Sequence, residues 1–224
     1  MRRRRSPIAI DFGEHSVAAL QLETRSGRVR VVAAAWERLA AGEPATREQR
    51  WLVAAAAALR SARCRGRQAV VALGLDEVKT PHVRVPADEL DKAGERIAAH
   101  VATHAADAGE VTIAPLGVAD LYDQGAAKRE FLCCVAGVDA IQRRIALVER
   151  LRLRPVAIEF APLARLRPLL RGDGSDSFVH VDFGALETRV TVVRAGDPVL
   201  VRGVRVGGDQ VQQAVEARLG LPLA

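Results

Sequence analysis

Two short stretches hold the residue types that handle phosphate and its metal ion. Near the start, Ile8-Ala9-Ile10-Asp11-Phe12-Gly13-Glu14-His15-Ser16-Val17 reads as an apolar strand, a tight corner and a second strand. Much later, Val179-His180-Val181-Asp182-Phe183-Gly184-Ala185-Leu186-Glu187-Thr188-Arg189-Val190 repeats the pattern. A corner glycine lets backbone N–H groups approach a phosphate, because no Cβ blocks them. The aspartate before it, Asp11 or Asp182, suits a hydrated Mg²⁺ beside that phosphate. Two such hairpins, one from each half of a duplicated fold, would clamp a triphosphate from both sides. Either hairpin alone is an ordinary Asp-x-Gly turn. The pair is the stronger signal, since each has an apolar strand before the Asp and a β-branched strand after the turn. Asp-Phe-Gly also occurs in protein kinases, but the chain has no G-x-G-x-x-G loop and no His-Arg-Asp loop.

Other chemistry-bearing residues carry less. His100 and His104 lie one helical turn apart, a metal-binding spacing, but no Glu follows the first His and no third ligand stands nearby. Glu159 ends a strand; it either reaches the cleft as a water-orienting carboxylate or is a solvated strand end. No residue presents itself as a catalytic base.

Composition narrows the function classes. Apolar residues make up 49% and charged residues 27% of 224, as in a soluble globular protein of one or two domains. The net charge is +6, and Arg2, Arg3, Arg4 and Arg5 supply four of those charges. No basic surface interleaved with stacking aromatics is apparent, which argues against nucleic acid. The arginine run reads as a solvated tail, with a weak contact to anionic membrane, roughly 1 kcal/mol per residue, as the second reading. Cys64, Cys133 and Cys134 form no disulfide framework, which fits a reducing compartment. Cys133 and Cys134 adjoin in a strand and point to opposite faces. There is no signal peptide and no apolar run of membrane-spanning length, so a cytoplasmic protein is expected.

The elements that must position the two corners follow in order. Residues 7–12 and 16–23 form the first hairpin, and 28–36 a third strand. Thr46 and Gln49 form a capping box for a helix whose Leu52, Ala55, Ala56 and Leu59 share one side. Gly42-Glu43-Pro44 precedes it, and a strand at 68–74 follows. Residues 82–154 read as β-α-β-β-α: a strand at 82–85, a helix with Leu90, Ile97, Val101 and Ala105 on one face, and strands at 111–118 and 130–138 joined by a polar loop at 120–129. A helix with Ile141, Ile145, Val148 and Leu151 closes the unit. A strand at 155–159 leads to a helix bent at Pro168, then a loop at 171–176. After the second hairpin come a strand at 199–206 and a helix with Val211, Val215 and Leu219, stopped by Gly220.

The stretch IAIDFGEHSVAALQLE resembles the first phosphate loop of actin-like ATPase-fold proteins, most of all the PilM family of type IV pilus assembly proteins. HVDFGALETRVTVVRAGDPVLVRGVRVGGDQVQQAV is similar to that family's second phosphate loop, and from Gly196 onward it follows the family's D-G-x-P-V-x-x-R-x-x-x-x-G-G-D-Q run, with Ala195 at the first position. VKTPHVRVPADEL and LRLRPVAIEFAPLARLR resemble the two boundaries of the family's inserted subdomain. MshI-type pilus proteins and the cell-division protein FtsA are more distant relatives of this pattern.

The resemblance implies an actin-like (ribonuclease H-like) α/β ATPase superfold with an inserted small α+β subdomain. Subdomain 1A would occupy residues 1–81, the inserted 1C-like subdomain 82–154, the return to 1A and a connecting helix 155–176, and the start of subdomain 2A 177–224. It implies an ATP and Mg²⁺ site at Asp11, Gly13, Ser16, Asp182, Gly184, Thr188, Gly207 and Gly208, with Asp11 and Asp182 near the metal. The family's Gly-rich adenosine loop does not follow within the 224 residues, so a truncated form or the loss of that half of the cleft is expected. The loops also depart from the pattern. Glu14 and His15 replace small hydroxylated residues, Ala18 stands where the family has Lys, and Leu186 and Glu187 replace small residues, while Thr188 matches. A carboxylate about 4 Å from a phosphate costs on the order of 1–4 kcal/mol, so a degenerate nucleotide site is expected.

Three functions follow from the resemblance. The first is a scaffold at the cytoplasmic face of the inner membrane that binds the N-terminal tail of a PilN-like membrane protein, with homo-oligomers as further assembly. The second is a working ATPase or phosphotransferase of the same superfold. The third is a cytoplasmic domain of the GspL type from type II secretion.

Overall fold

The computed structural model describes residues 4–40, 46–104, 110–123, 125–170 and 177–220. Gly42-Glu43-Pro44, Ala105, the 171–176 loop, Arg2 and Arg3 lie outside these. The chain forms two compact units, Met1–Leu73 with Ile141–Glu159, and Gly74–Ala140 with Phe160–Ala224.

The first unit is a six-stranded sheet with helices against it. Its strands are β1 (Arg4–Arg5), β2 (Ile8–Phe12), β3 (Ser16–Arg25), β4 (Arg28–Arg38), β5 (Gln68–Leu73) and β10 (Arg154–Phe160). They run in the order β1-β3-β2-β5-β10, with β4 along β3. β2 pairs antiparallel with β3 and parallel with β5. That parallel pair requires a crossover, and α1 (Arg47–Ala62) supplies it. The expected capping box starts this helix: the Thr46 hydroxyl accepts from the Gln49 amide, and Gln49 Oε1 accepts from the Thr46 amide. Its buried stripe is Trp51, Ala54, Ala55 and Ala58, turned from the expected Leu52, Ala55, Ala56 and Leu59. Three alanines let the helix approach the sheet closely, while Leu52 and Leu59 pack at the margin. The core joins these residues to Ile8, Ile10, Val17, Val71, Leu147 and Val148.

Arg4 and Arg5 belong to the sheet edge, not to a free tail. They pair with Thr24 and Glu23, and Arg5 Nε lies 3.7 Å from a Glu23 carboxylate that is fully buried and also held by Arg30 at 2.7 Å.

The second unit contains two sheets. The first comprises β6 (Val78–Lys79), β7 (His82–Pro86), β8 (Val111–Asp123) and β9 (Ala126–Gly137). A 3-10 turn at Ala87–Lys92 leads into α2 (Ala93–His104), which buries Ile97 and Val101 against Val83, Val85, Cys133 and Val135. The polar segment expected as a loop at 120–129 is mostly strand: β8 and β9 pair up to Asp123↔Ala126. Its charges explain this, since Asp120 and Arg129 are register partners joined at 2.7 Å across the ladder. Cys133 is buried and Cys134 half-buried, and all three cysteines are free.

The other sheet is β11 (Phe178–Phe183), β12 (Thr188–Arg194) and β13 (Asp197–Val204), all antiparallel. α4 (Ala161–Leu166) is a short helix with Pro162 in its first turn. α5 (Gly208–Leu219) ends at Gly220 in the left-handed conformation. Its apolar Val211, Val215 and Leu219 are exposed. α3 (Val138–Arg150) carries the chain from this unit back into the first. No helix among the described residues is long and apolar enough to cross a membrane.

Candidate functional site

The two corners are built alike. Gly13 N–H donates to the Ser16 carbonyl at 2.9 Å, and Gly184 N–H donates to the Glu187 carbonyl at 3.0 Å. A Cβ on Gly13 would stand 3.0 Å from the Ser16 oxygen, and one on Gly184 2.8 Å from the Glu187 oxygen. Glycine is therefore required by the tightness of each turn, and its N–H is used inside it.

At the first corner Asp11, Gly13 and Ser16 stand together between β2 and β3. Asp11 is exposed and in register with Ala18, the position where a lysine was expected. The corner is held from α1. Trp51 Nε1–H donates to the Gly13 carbonyl at 2.8 Å. Glu14 forms an ion pair with Arg47, whose guanidinium lies 4.5 Å above the Trp51 ring. Arg144, from α3, is buried beside the Phe12 and Trp51 rings at 5.4 and 5.2 Å. The charge of Glu14 is thus offset by Arg47.

The second corner gathers Asp182, Gly184, Thr188, Gly207 and Gly208. Gly208 and Asp209 N–H groups, at the start of α5, donate to the carbonyls of Gly184 and Ala185, each at 2.9 Å. A Cβ on Gly207 would lie 2.4 Å from the Ala185 oxygen, so only glycine allows this approach. The Thr188 hydroxyl donates to the Val206 carbonyl at 2.6 Å. Asp182 is ion-paired with Arg165 and lies 3.2 Å from Arg189, which also holds Glu187 at 2.7 Å. Glu187, like Glu14, has a guanidinium partner.

These partners bear on how a nucleotide would fit. A phosphate cradle needs N–H groups aimed outward and a carboxylate open to a hydrated metal. Here the N–H donors of Gly13, Gly184, Gly208 and Asp209 are taken by protein carbonyls. The Asp182 carboxylate faces two guanidinium groups. Arg47, Trp51, Arg144 and Arg165 are the residues that sequence reasoning missed. None has a motif; only the fold brings them to the corners.

His100 and His104 stack at 4.1 Å, and no group of three or more metal-ligating side chains occurs among the described residues. Glu159 is half-buried near the end of β10 and has an interaction partner.

Comparison with known proteins places this arrangement. The family model of the type IV pilus assembly protein PilM matches residues 9–224. The fold is similar to that of a PilM–PilN type IV pilus biogenesis complex, with a TM-score of 0.76 and 19% identity over 96% of this chain. The ethanolamine utilization protein EutJ of Carboxydothermus hydrogenoformans gives a TM-score of 0.52 and 14% identity over 99% of this chain. The cytoplasmic domain of EpsL, an inner-membrane component of the type II secretion system of Vibrio cholerae, gives 0.54 and 10% over 90%. The chain spans 66%, 59% and 71% of these three, respectively. No curated protein matches it in sequence. The architecture is the actin-like ATPase fold.

Proposed function

This chain belongs to the PilM family of type IV pilus assembly proteins, and from that premise we propose that it is a scaffold that binds the short cytoplasmic tail of a PilN-like membrane protein. The scaffold works at the cytoplasmic face of the inner membrane, and nucleotide turnover is not its task. One observation carries the second half of this reading: the amide donors of Gly13, Gly184, Gly208 and Asp209 are used within the protein, and Asp182 is bracketed by Arg165 and Arg189. A phosphate would have to break these contacts before it could bind. The fold likeness to a PilM–PilN complex supports the partner. Arg4 and Arg5, at the edge of β1, add only a weak contact to anionic lipid. The subdomain limits at 81, 154 and 176 and the site residues Asp11, Gly13, Ser16, Asp182, Gly184, Thr188, Gly207 and Gly208 belong to the same proposal.

The direct test is calorimetry with the N-terminal peptide of the membrane protein encoded beside this chain. Saturable binding to the folded protein is expected; its absence removes the scaffold reading. MgATP should bind more weakly than about 1 mM, and micromolar affinity would overturn the degenerate site.

A further inference from the structure

The second unit holds a cavity of about 330 Å³ that the pilus reading leaves unused. Its polar wall is Lys79 of β6, His82 of β7, His100 and His104 of α2, and Arg202 of β13. Its apolar floor is Pro81, Val101 and Val135. Among the described residues no carboxylate lines it. The Thr80 hydroxyl donates to the Val201 carbonyl at 3.3 Å, which ties β13 to the segment beside β6 and sets Arg202 at the rim.

His82 is the informative residue. Its Nδ1 lies 3.5 Å from Glu130, while its Nε2 is buried and has no hydrogen-bond partner. Such a nitrogen is destabilising until something reaches it. The His104 ring donates from Nδ1 to the His100 carbonyl at 2.8 Å, so its other nitrogen is left for a ligand. The three imidazoles form no metal-ligand group. The wall is cationic and rich in hydrogen-bonding nitrogens, and a volume of this size suits a small molecule.

We propose that this cavity binds a small organic anion: one carboxylate or phosphate head among Lys79, Arg202 and His82, with an apolar body on Pro81, Val101 and Val135. A head group of this kind makes charge-assisted contacts with both cations, and it accepts from His82 Nε2–H when the ring carries both protons, Nδ1 facing Glu130. The proposal goes beyond the scaffold reading and does not depend on it.

The test uses the full 224-residue chain, titrated with hexanoate, hexyl phosphate and inorganic phosphate. Imidazole proton NMR reports the site and calorimetry the affinity. Saturable binding of a hexyl ligand that shifts the His82 and His104 resonances is expected. Arg202→Gln and Lys79→Gln should each weaken it about 10-fold, and inorganic phosphate should bind about 10-fold more weakly than hexyl phosphate. Which hexyl ligand binds more tightly identifies the head. The absence of saturable imidazole shifts with either hexyl ligand up to about 10 mM overturns the site. So does unchanged affinity in Arg202→Gln, an exposed position whose change leaves the fold intact even if Lys79→Gln does not. Inorganic phosphate binding as tightly as hexyl phosphate overturns the role of the apolar floor.

Discussion

Trp51 donates its indole N–H to the carbonyl of Gly13, 38 positions earlier in the chain, at 2.8 Å. The bond fastens the corner of the first hairpin to the crossover helix that lies against it. Phe12 packs on the same indole at 5.5 Å, and Arg47 covers it from above. The corner is therefore held from the crossover helix through its carbonyl, while the Gly13 N–H is used within the turn.

Trp51→Phe keeps most of the buried ring but loses the donor. Urea denaturation should show a loss of about 1–2 kcal/mol, the worth of one such bond plus the weaker cation–π contact. A change below about 0.3 kcal/mol would mean that the bond does not hold the corner.

Gly207 and Gly208 are neighbours with different constraints. A Cβ at 207 meets the Ala185 oxygen at 2.4 Å, whereas one at 208 stands 3.8 Å from the Gly184 oxygen. Gly207→Ala should cost about 2–3 kcal/mol by separating α5 from the hairpin and breaking its two N–H bonds. Gly208→Ala should be neutral or gain about 0.5–1 kcal/mol. Equal thermal melts for the two variants would refute the close approach.

Burial, with a smaller contribution from the charge of neighbouring Cys133, raises the Cys134 thiol to about 11. At pH 8 its thiolate is about 100-fold scarcer than that of an ordinary cysteine, and native-state alkylation followed by mass spectrometry should be slower by about that factor. The unfolded chain loses this proton first, near the ordinary cysteine value of 9.0, so Cys134 makes the fold less stable as pH rises from there towards 11. Labelling at the rate of a free thiol would contradict this.

β11 has β12 as its pairing partner among the described residues and turns Val179, Val181 and Phe183 outward, each 58–59% exposed. A row of this kind on a strand edge favours self-association. Val181→Thr combined with Phe183→Ser should lower the sedimentation-detected aggregate fraction several-fold and shift the melting temperature by less than about 3 °C. Unchanged aggregation would place the sticky surface elsewhere.

Much of the fold is legible along the chain because it is written in local terms. The Thr46–Gln49 cap, the Gly220 stop, and both Asp-Phe-Gly corners with their flanking strands depend on neighbouring residues and side-chain alternation. Those same corners carry the family resemblance. The 120–129 segment was misread because its polar residues look like a loop until Asp120 meets Arg129 across the ladder. The face of α1 was misread because alanines bury as readily as leucines where a helix sits close to a sheet.

By itself, then, the sequence determined that two Asp-Phe-Gly hairpins exist, where they turn, and that they carry Glu14 and Glu187. Only the tertiary structure decided what those hairpins bind. Trp51, Arg165 and Gly208 reach Gly13, Asp182 and Gly184 across 17 to 38 positions. A hydrogen bond is satisfied by whichever group the fold delivers, and sequence spacing does not say which group arrives.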